Sequence, residues 1–544
     1  MLVIGPATVV LTGLALIHDL YPLHINSHTG FGQDPAYQYL FSGVDILQGN
    51  APVHTDHPGT PLQSLIAALI VICWMLFSAT GVTRVGLFEA VLDKPEYFLL
   101  STSLVLLALT GYVLYRLGLQ IYRFTASRAL AFGCQTTPLL YPMTVPNIVF
   151  PTPEALLISV SLALVTVLAP LVLSNHNVNP SSRKSIATWA GILCGLGLAI
   201  KVTFAPLFSL LFLIRSPSLI LRAFLFSLLA WLCGVVPILS RLGDMFRWFF
   251  KVISHSGMHG QGSTTMLSWA QLKGSIGWLI GHFGIFYYVI FCIVGLTVIV
   301  VLFYVVTKPL SRIQNTPEWL KIFTSNCKIN SHLLLISAVF IFAAIAHTMM
   351  VAKHLGPSYM VPILSVTPLA FAWLVNHFVV MPGGRHVKAL TCWTWFFAVT
   401  FIAYSSLVQS IQTISQDHAR GVESQSQVVA TLQKYDEPLV IGAFNCNLLN
   451  CARWFGMSLV PAMELRMSSI DPNFWYFNIF NQQFHAPGKG GLDKDIAVDA
   501  ISEEIKKDRP VFLISPSYPH LASIQKELLL STPVQNLYRV TGLK

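Results

Sequence analysis

A polar stretch near the N-terminus carries side chains that could perform acid–base or metal chemistry. The stretch from Asp34 to Gln63, "DPAYQYLFSGVDILQGNAPVHTDHPGTPLQ", holds three aspartates and two histidines in thirty residues. A carboxylate can take the proton of a hydroxyl group, and carboxylates with imidazoles can bind zinc or manganese. Apolar segments lie on both sides of the stretch. We therefore expect a chemical role for it at a membrane surface.

The elements that position this stretch are predicted to be membrane helices. Of the 544 residues, 54% are hydrophobic and only 10% are charged, and the mean hydropathy is +0.64. A soluble domain carries about 25% charged residues. Apolar windows of roughly 20 residues, enough to cross a bilayer, recur over the first part of the chain. The composition predicts an all-α polytopic membrane protein.

Residues 1–410 are predicted to form a transmembrane domain with about eleven crossings. The first is expected to be an uncleaved helix, because the N-terminus lacks a basic segment before its apolar run. We expect crossings near residues 3–20, 97–119, 129–147, 152–174, 186–203, 204–215, 218–240, 283–307, 331–351, 358–378 and 388–409. Residues 62–80 are also apolar, but a crossing there would move every later basic loop to the outside. We therefore predict a juxtamembrane or re-entrant helix for 62–80.

The net charge of +10 is spread over short loops between the apolar segments. This is the pattern of cytoplasmic loops, and it argues against nucleic-acid binding. It predicts a multi-pass protein of the plasma (inner) membrane with a cytoplasmic N-terminus. The outer face is expected to carry a first loop, 21–61, and a large loop, 241–282.

Residues 411–544 are predicted to form a small extracytoplasmic α/β domain. "PLVIGAF", "RPVFLIS" and "NLYRV" have strand patterns, and "SQDHARGVESQSQVVATLQKYDEP" and "LASIQKELLL" have helical ones. If this domain lies outside the cell, Cys446 and Cys451 could form a disulfide.

Four motifs, in order, resemble the lipid-phosphosugar-dependent GT-C glycosyltransferases, in particular the aminoarabinose transferases of lipid A and the protein O-mannosyltransferases. "DPAYQYLFSGVDILQG" with the later "HPGTPLQ" resembles their first outer loop, and "FPTPEALLISVSLAL" resembles their second. "GILCGLGLAIKVTFAPL" and "VAKHLGPSYMVPILSV" resemble a glycine-rich helix ending in Thr-Lys and an outer turn with Pro-x-Tyr. The resemblance implies a GT-C type helical bundle.

The resemblance also implies roles for two acidic residues. Asp34 is the expected base for the acceptor proton, with Glu154 as a second catalytic residue. Alternatively, Asp34 caps a helix that begins with Pro35, and Glu154 interacts favourably with a helix N-terminus.

A lipid phosphate as leaving group needs cations and hydrogen-bond donors. We predict that Lys353, Tyr359, Lys201, His354 and Tyr37 bind substrate or phosphate. The alternative for the lysines and Tyr359 is an ordinary interfacial position, with snorkelling lysines and an aromatic belt.

A divalent cation, zinc or manganese, is a further expectation. By the resemblance, Asp56, His57 and His255 would hold it. The alternative is that these are ordinary loop residues, because their spacing is not a specific metal signature.

The predicted function is that of an inverting membrane glycosyltransferase. It would transfer a hexosyl or pentosyl group from a polyprenyl-phosphate donor to a hydroxyl of a glycan, lipid or protein acceptor on the outer face. Two other classes stay open at this point: a transporter or flippase of a lipid-linked sugar, and a non-catalytic membrane assembly protein.

Overall fold

A computed structural model gives the architecture of the chain. It describes residues 2–20, 36–55, 59–142, 144–174, 178–255, 264, 269–310, 331–378, 385–443, 446–458, 460, 464–478, 482–515 and 524–543.

The first part of the chain is a helical bundle. Its α-helices are α1 (Ile4–Leu20), α2 (Gln38–Leu47), α3 (Thr60–Ala79), α4 (Leu87–Asp93), α5 (Pro95–Thr125), α6 (Arg128–Thr136), α7 (Thr144–Val149), α8 (Pro153–Leu173), α9 (Pro180–Ile200), α10 (Pro217–Val235), α11 (Leu242–Ser254), α12 (Trp269–His282), α13 (Gly284–Leu310), α14 (Ser331–Lys353), α15 (Val361–Leu364), α16 (Thr367–Phe378) and α17 (Arg385–Leu432). 3-10 helices lie at Thr137–Leu140, Val202–Ile214, Val236–Arg241 and Pro357–Met360.

Several of these helices suit a bilayer. Within the described ranges, seven helical stretches are long and apolar enough to cross, and an eighth is a pair, α12 and α13, that meets at 101°. The multi-pass prediction agrees with this, whereas the predicted number of crossings is not established by it.

The predicted crossing at 129–147 is wrong as a single helix. The structure instead has α6, a short 3-10 helix and α7 in this region. Pro138, Pro142 and Pro146 explain the interruption, because proline lacks the amide hydrogen and clashes with the preceding turn.

Helix α3 is long and apolar enough to cross a bilayer. The helices before and after it, however, both contact the C-terminal domain. Phe41 of α2 packs on Gly456 of the C-terminal domain. Glu89 of α4 pairs with Arg466 of the same domain at 2.7 Å. Because α2 precedes α3 and α4 follows it, α3 begins and ends at the same end of the bundle. We call this the domain end, and the arrangement agrees with the juxtamembrane helix expected from the charge pattern.

The C-terminal domain is built on a seven-stranded sheet with strand order β4-β3-β2-β1-β5-β7-β6. The strands are β1 (Leu439–Ala443), β2 (Phe474–Asn478), β3 (Gln483–Ala486), β4 (Gly490–Asp493), β5 (Val511–Ser515), β6 (Ile524–Ser531) and β7 (Asn536–Leu543). Helices α18 (Leu449–Met457), α19 (Glu464–Ile470) and α20 (Lys494–Lys506) accompany them. β1 is parallel to β2 and β5, and it is buried along its whole length, as a central parallel strand must be.

One element of this domain differs in type from its prediction. "LASIQKELLL" was expected to be helical, but its described part forms β6, which pairs antiparallel with β7. Leu528 and Glu527 favour helices, but here they form a strand because β7 provides a partner for hydrogen bonding. Strand preference depends on the neighbouring strand more than on the residue alone.

The polar helix predicted after residue 410 exists, but it is not a separate element. It continues the last apolar helix without a break, so α17 is 48 residues long. The boundary between the two predicted domains therefore falls inside one helix.

Cys446 and Cys451 form a disulfide between the end of β1 and the start of α18. Gly442 of β1 leaves the space for it, because a Cβ there would overlap both Cys451 Sγ and the Phe474 ring. The disulfide that the sequence made possible is thus present.

Candidate active site

A buried ion pair joins α8 to the end of α9. Glu154 lies in the first turn of α8, after Pro153, which suits the first position of a helix. Lys201 directly follows α9 in extended conformation. Lys201 Nζ lies 2.5 Å from Glu154 Oε1, and the two side chains are only 5% and 7% exposed. The motifs that carry these two residues therefore come together in space.

Tyr359 completes a cluster with this ion pair. Lys201 Nζ lies 4.5 Å from the centre of the Tyr359 ring, a distance at which an ammonium is attracted to an aromatic face. The buried His347 Nε2 donates to the carbonyl oxygen of Tyr359 at 2.9 Å. The 3-10 turn at Pro357–Met360 is thereby fixed against α14.

A cavity of about 400 Å³ adjoins the cluster. Its polar lining groups come from Thr203, Lys353, His354, Ser358 and Tyr359, with Gln271 from α12. The Thr203 hydroxyl is buried and has no hydrogen-bond partner among the described residues. The lining offers one cation, Lys353, and several hydrogen-bond donors among apolar side chains, which suits a phosphate or another anion.

Lys353 and His354 reach the cavity but bond to the backbone of α11. Lys353 Nζ donates to the carbonyl of Ile253, and His354 Nε2 donates to the carbonyl of Val252 at 3.0 Å. Both carbonyls belong to the last turn of α11, where a helix leaves acceptors unpaired and favours positive charge. In this structure the two predicted phosphate ligands thus cap a helix.

Gly59 joins the first loop to this cluster. Its amide donates to the carbonyl of Ile200, next to Lys201, at 2.9 Å. The φ angle of Gly59 is +51°, and a Cβ there would overlap the Tyr39 ring. Only glycine meets both conditions without strain. The glycine between the two prolines of "HPGTP" therefore lets α3 begin beside Lys201.

Tyr37 is fully buried at the start of α2. Its hydroxyl donates to Glu96 Oε1 at 2.7 Å. Glu96 was missed by the sequence reasoning, although an acidic residue in the first turn of an apolar helix, "KPEYFLL", is the signal that could have found it.

Asp45 of α2 is a second acidic residue that the sequence reasoning did not use. It is 4% exposed, and its Oδ2 has no partner among the described residues. Burial raises the pKa of Asp45 to about 7, and the positive charge of Arg241 opposes that rise. Asp45 can therefore change its charge near neutral pH.

Three of the predicted site residues, Asp34, Asp56 and His57, lie outside the described residues. His255 is described, at the end of α11, and its Nδ1 hydrogen-bonds with Ser254 Oγ at 2.7 Å. Over the described ranges no group of three metal-binding side chains occurs. The predicted metal site therefore stays a prediction, as do the roles of the residues named for it.

Two solved structures of one other protein are similar to this architecture. A crystal structure of ArnT from Cupriavidus metallidurans bound to undecaprenyl phosphate superposes with a TM-score of 0.51 and 11% identity, covering 98% of each chain. The apo structure of the same ArnT gives 0.50 and 12%, again over 98% of each chain.

The chain has the fold of ArnT. The predicted helical bundle with a small C-terminal sheet domain is thereby confirmed as a fold. The likeness to ArnT extends over both parts of the chain. A scan of protein-family models and a sequence search of curated proteins found no match.

Proposed function

We propose that this protein is an inverting membrane glycosyltransferase that moves a sugar from a polyprenyl-phosphate donor to a hydroxyl acceptor at the domain end of the bundle. The observation that supports this most is the buried Lys201, held by Glu154 and Tyr359 beside a donor-rich cavity, in a chain with the fold of ArnT. One of those ArnT structures is bound to undecaprenyl phosphate. A fold alone does not fix an activity, so the proposal rests on the cluster and the fold together.

The proposed reaction is a single in-line displacement. The acceptor oxygen forms a bond to the anomeric carbon while the bond from that carbon to the phosphate oxygen breaks, which inverts the configuration. Asp34 takes the acceptor proton. The electron pair of the broken bond stays on the lipid phosphate, whose added negative charge is stabilised by Lys201 and the Tyr359 hydroxyl.

Lys353 and His354 are proposed to join in binding the phosphate. Both already line the cavity, and each would exchange its bond to an α11 carbonyl for a bond to a phosphate oxygen. For Lys353 the exchange replaces a carbonyl oxygen, which carries a partial charge, with a phosphate oxygen, which carries a full negative charge, so the stronger Coulomb attraction favours the anion-bound state.

We propose Asp56, His57 and His255 as the residues that would hold zinc or manganese. The bound ion would supply positive charge near the phosphate. His255 Nδ1 already hydrogen-bonds with Ser254 Oγ, so Nε2 is the nitrogen that would bind the metal. Loss of transfer on chelation, with recovery on adding zinc or manganese, is expected. Activity that does not respond to a chelator would remove these three residues from the site.

The orientation in the membrane is part of the proposal. The disulfide Cys446–Cys451 supports a C-terminal domain outside the cytoplasm, because disulfides persist in oxidising compartments. The basic inter-helix loops support the same orientation. We accordingly propose the inner membrane as location, with a cytoplasmic N-terminus and the cavity at the outer face.

The test is donor consumption by the purified protein. Wild type and Asp34→Asn are incubated with a panel of polyprenyl-phosphate sugars, hexosyl and pentosyl, in the presence of acceptor-bearing membranes. Wild type is expected to release polyprenyl phosphate from at least one donor, and Asp34→Asn to lose about 100-fold or more of that rate. Asp436→Asn, the same change at an exposed acid of the C-terminal domain, is the matched control.

Each failure has a separate meaning. Full activity in Asp34→Asn contradicts the base assignment but leaves the transferase intact. Wild type that consumes no donor contradicts the transferase and favours the non-catalytic alternative. The fold of a transferase does not favour the transporter alternative, whose signature would be movement of unchanged donor across vesicles.

A further inference from the structure

We propose that α11 lies along the membrane surface and binds acidic phospholipid headgroups. In this arrangement Arg247 and Lys251 contact the headgroups, while Phe246, Phe250 and Ile253 enter the outer acyl layer. The inference does not depend on the glycosyltransferase activity.

Helix α11 does not continue the crossing made by α10. The rings of Trp231 and Phe246 lie 6.4 Å apart, although fifteen residues of straight helix would separate their backbones by about 22 Å. The bend falls in the 3-10 segment between the two helices, where Ile238 has non-helical angles (φ −111°, ψ 15°). The fully buried Met245 packs in a cluster with Ala199, at the end of α9. α11 therefore turns back over the domain end of the bundle.

The other end of α11 is fixed to α14. Lys353 and His354 donate to the carbonyls of Ile253 and Val252. The helix is thus held at both ends against the bundle. Its inner side also forms part of the cavity wall, through Trp248 and Val252.

The outer side of α11 has two distinct stripes. Phe246, Phe250 and Ile253 follow a spacing of four and three residues, which places them on one side of a helix, and they are 53%, 71% and 62% exposed. Arg247 and Lys251 are four residues apart on the adjacent side and are also exposed. Apolar and basic stripes side by side are typical of a helix that lies in a lipid interface.

The charges on this helix select the lipid. Asp244 is the acidic residue of α11, and it pairs with Arg247. With Lys251 included, the stripe keeps a net positive charge. A helix crossing the acyl core would carry these charges at high cost, and a helix in water would expose an apolar patch to no benefit. Acidic headgroups beside acyl chains satisfy both stripes.

Spin labels on the two stripes test the placement. A single cysteine is introduced at Phe250 or at Arg247, with Ile253 as a second apolar position. Among the described residues the exposed free cysteines are Cys233 and Cys292; these two, and Cys327 of the sequence, are first replaced by serine. The labelled full chain is placed in nanodiscs of phosphatidylcholine with phosphatidylglycerol. Labels at 250 and 253 are expected to collide more with oxygen, and the label at 247 more with a water-soluble nickel chelate. Nickel access at all three positions, or oxygen preference at all three, would overturn the proposal.

Loss of the two charges tests the lipid class. We compare phosphatidylglycerol retained by wild type with that retained by Arg247→Gln/Lys251→Gln, using native mass spectrometry against phosphatidylcholine. A loss of about fivefold per removed charge is expected. Lys506→Gln/Lys507→Gln, in the C-terminal domain, removes the same charge elsewhere and is expected to retain the lipid. Equal retention by wild type and the α11 variant would contradict headgroup binding.

Discussion

Removing one partner of the Glu154–Lys201 pair should lower the stability of the protein more than removing both. The side chains are 5% and 7% exposed and their charged atoms are 2.5 Å apart. Breaking such a pair from one side leaves a buried, unpaired charge and costs about 3–5 kcal/mol. Replacing both partners with apolar side chains of similar size is often neutral. Glu154→Leu and Lys201→Met should each destabilise strongly, and the double variant should regain most of the stability.

Both transfer activity and stability are measured for each variant. Thermal unfolding in detergent reports the stability of each variant. If the pair serves only the packing of α8 against α9, the double variant regains both stability and transfer. If Lys201 serves the phosphate, the double variant regains stability while transfer stays reduced about 100-fold or more.

Two results would refute the reasoning. Single variants as stable as wild type would show that the two charges do not depend on each other. A stable double variant with full transfer would remove Lys201 from the phosphate site. Asp417→Asn is the control, because its pairing with Arg420 at 3.6 Å is exposed on both sides and is worth about 1 kcal/mol or less.

Three further predictions follow from other contacts. Tyr37→Phe should cost about 1.5–3 kcal/mol in thermal unfolding, since it removes the hydroxyl that donates to Glu96 Oε1. Glu96→Gln keeps an acceptor for that hydroxyl and should cost less, and the reverse order would contradict the bond. The pKa of Asp45 is raised to about 7 in the folded state, so the folded protein binds more protons than the unfolded chain from about pH 4 to pH 7, and stability falls as the pH rises through that window. Asp45→Asn should therefore be more stable than wild type at pH 8, by about 2 kcal/mol once screening by solvent is included, and equal to it at pH 4. Equal differences between the two proteins at both pH values would contradict this. Serine at both Cys446 and Cys451, which lie five positions apart, should lower the free energy of unfolding by about 2 kcal/mol, and a reductant should then have no further effect.

The sequence predicts those features correctly that a single local pattern decides. Composition and apolar windows predicted the helical bundle, and "VFLIS" predicted a buried strand that the sheet contains as β5. Glu154, Lys201 and Tyr359 were each chosen from separate motifs, and the structure brings them into contact.

The features that the sequence does not predict are those that depend on packing against distant residues. The sequence marks Glu96 as an acid in the first turn of an apolar helix, but its partner Tyr37 is 59 residues away, so their contact follows only from the fold. Leu528 lies in a good helical pattern but forms a strand because β7 is beside it. Lys353 was predicted to face a phosphate, and only the folded chain shows that it also caps α11.

The length of α17 has a geometric consequence. At 1.5 Å per residue, its 48 residues span about 72 Å, whereas the acyl core of a bilayer is about 30 Å thick. The sheet domain is attached to the outer part of this helix, through Asn447 to the Gly421 carbonyl and through Thr532 to Ser424, both at 2.5 Å. The domain also contacts the bundle through Phe41 at Gly456 and through the Glu89–Arg466 pair. The long helix and these two contacts together fix the position of the domain on the bundle, so a change that shortens or bends α17 beyond residue 410 should move the domain relative to α2 and α4.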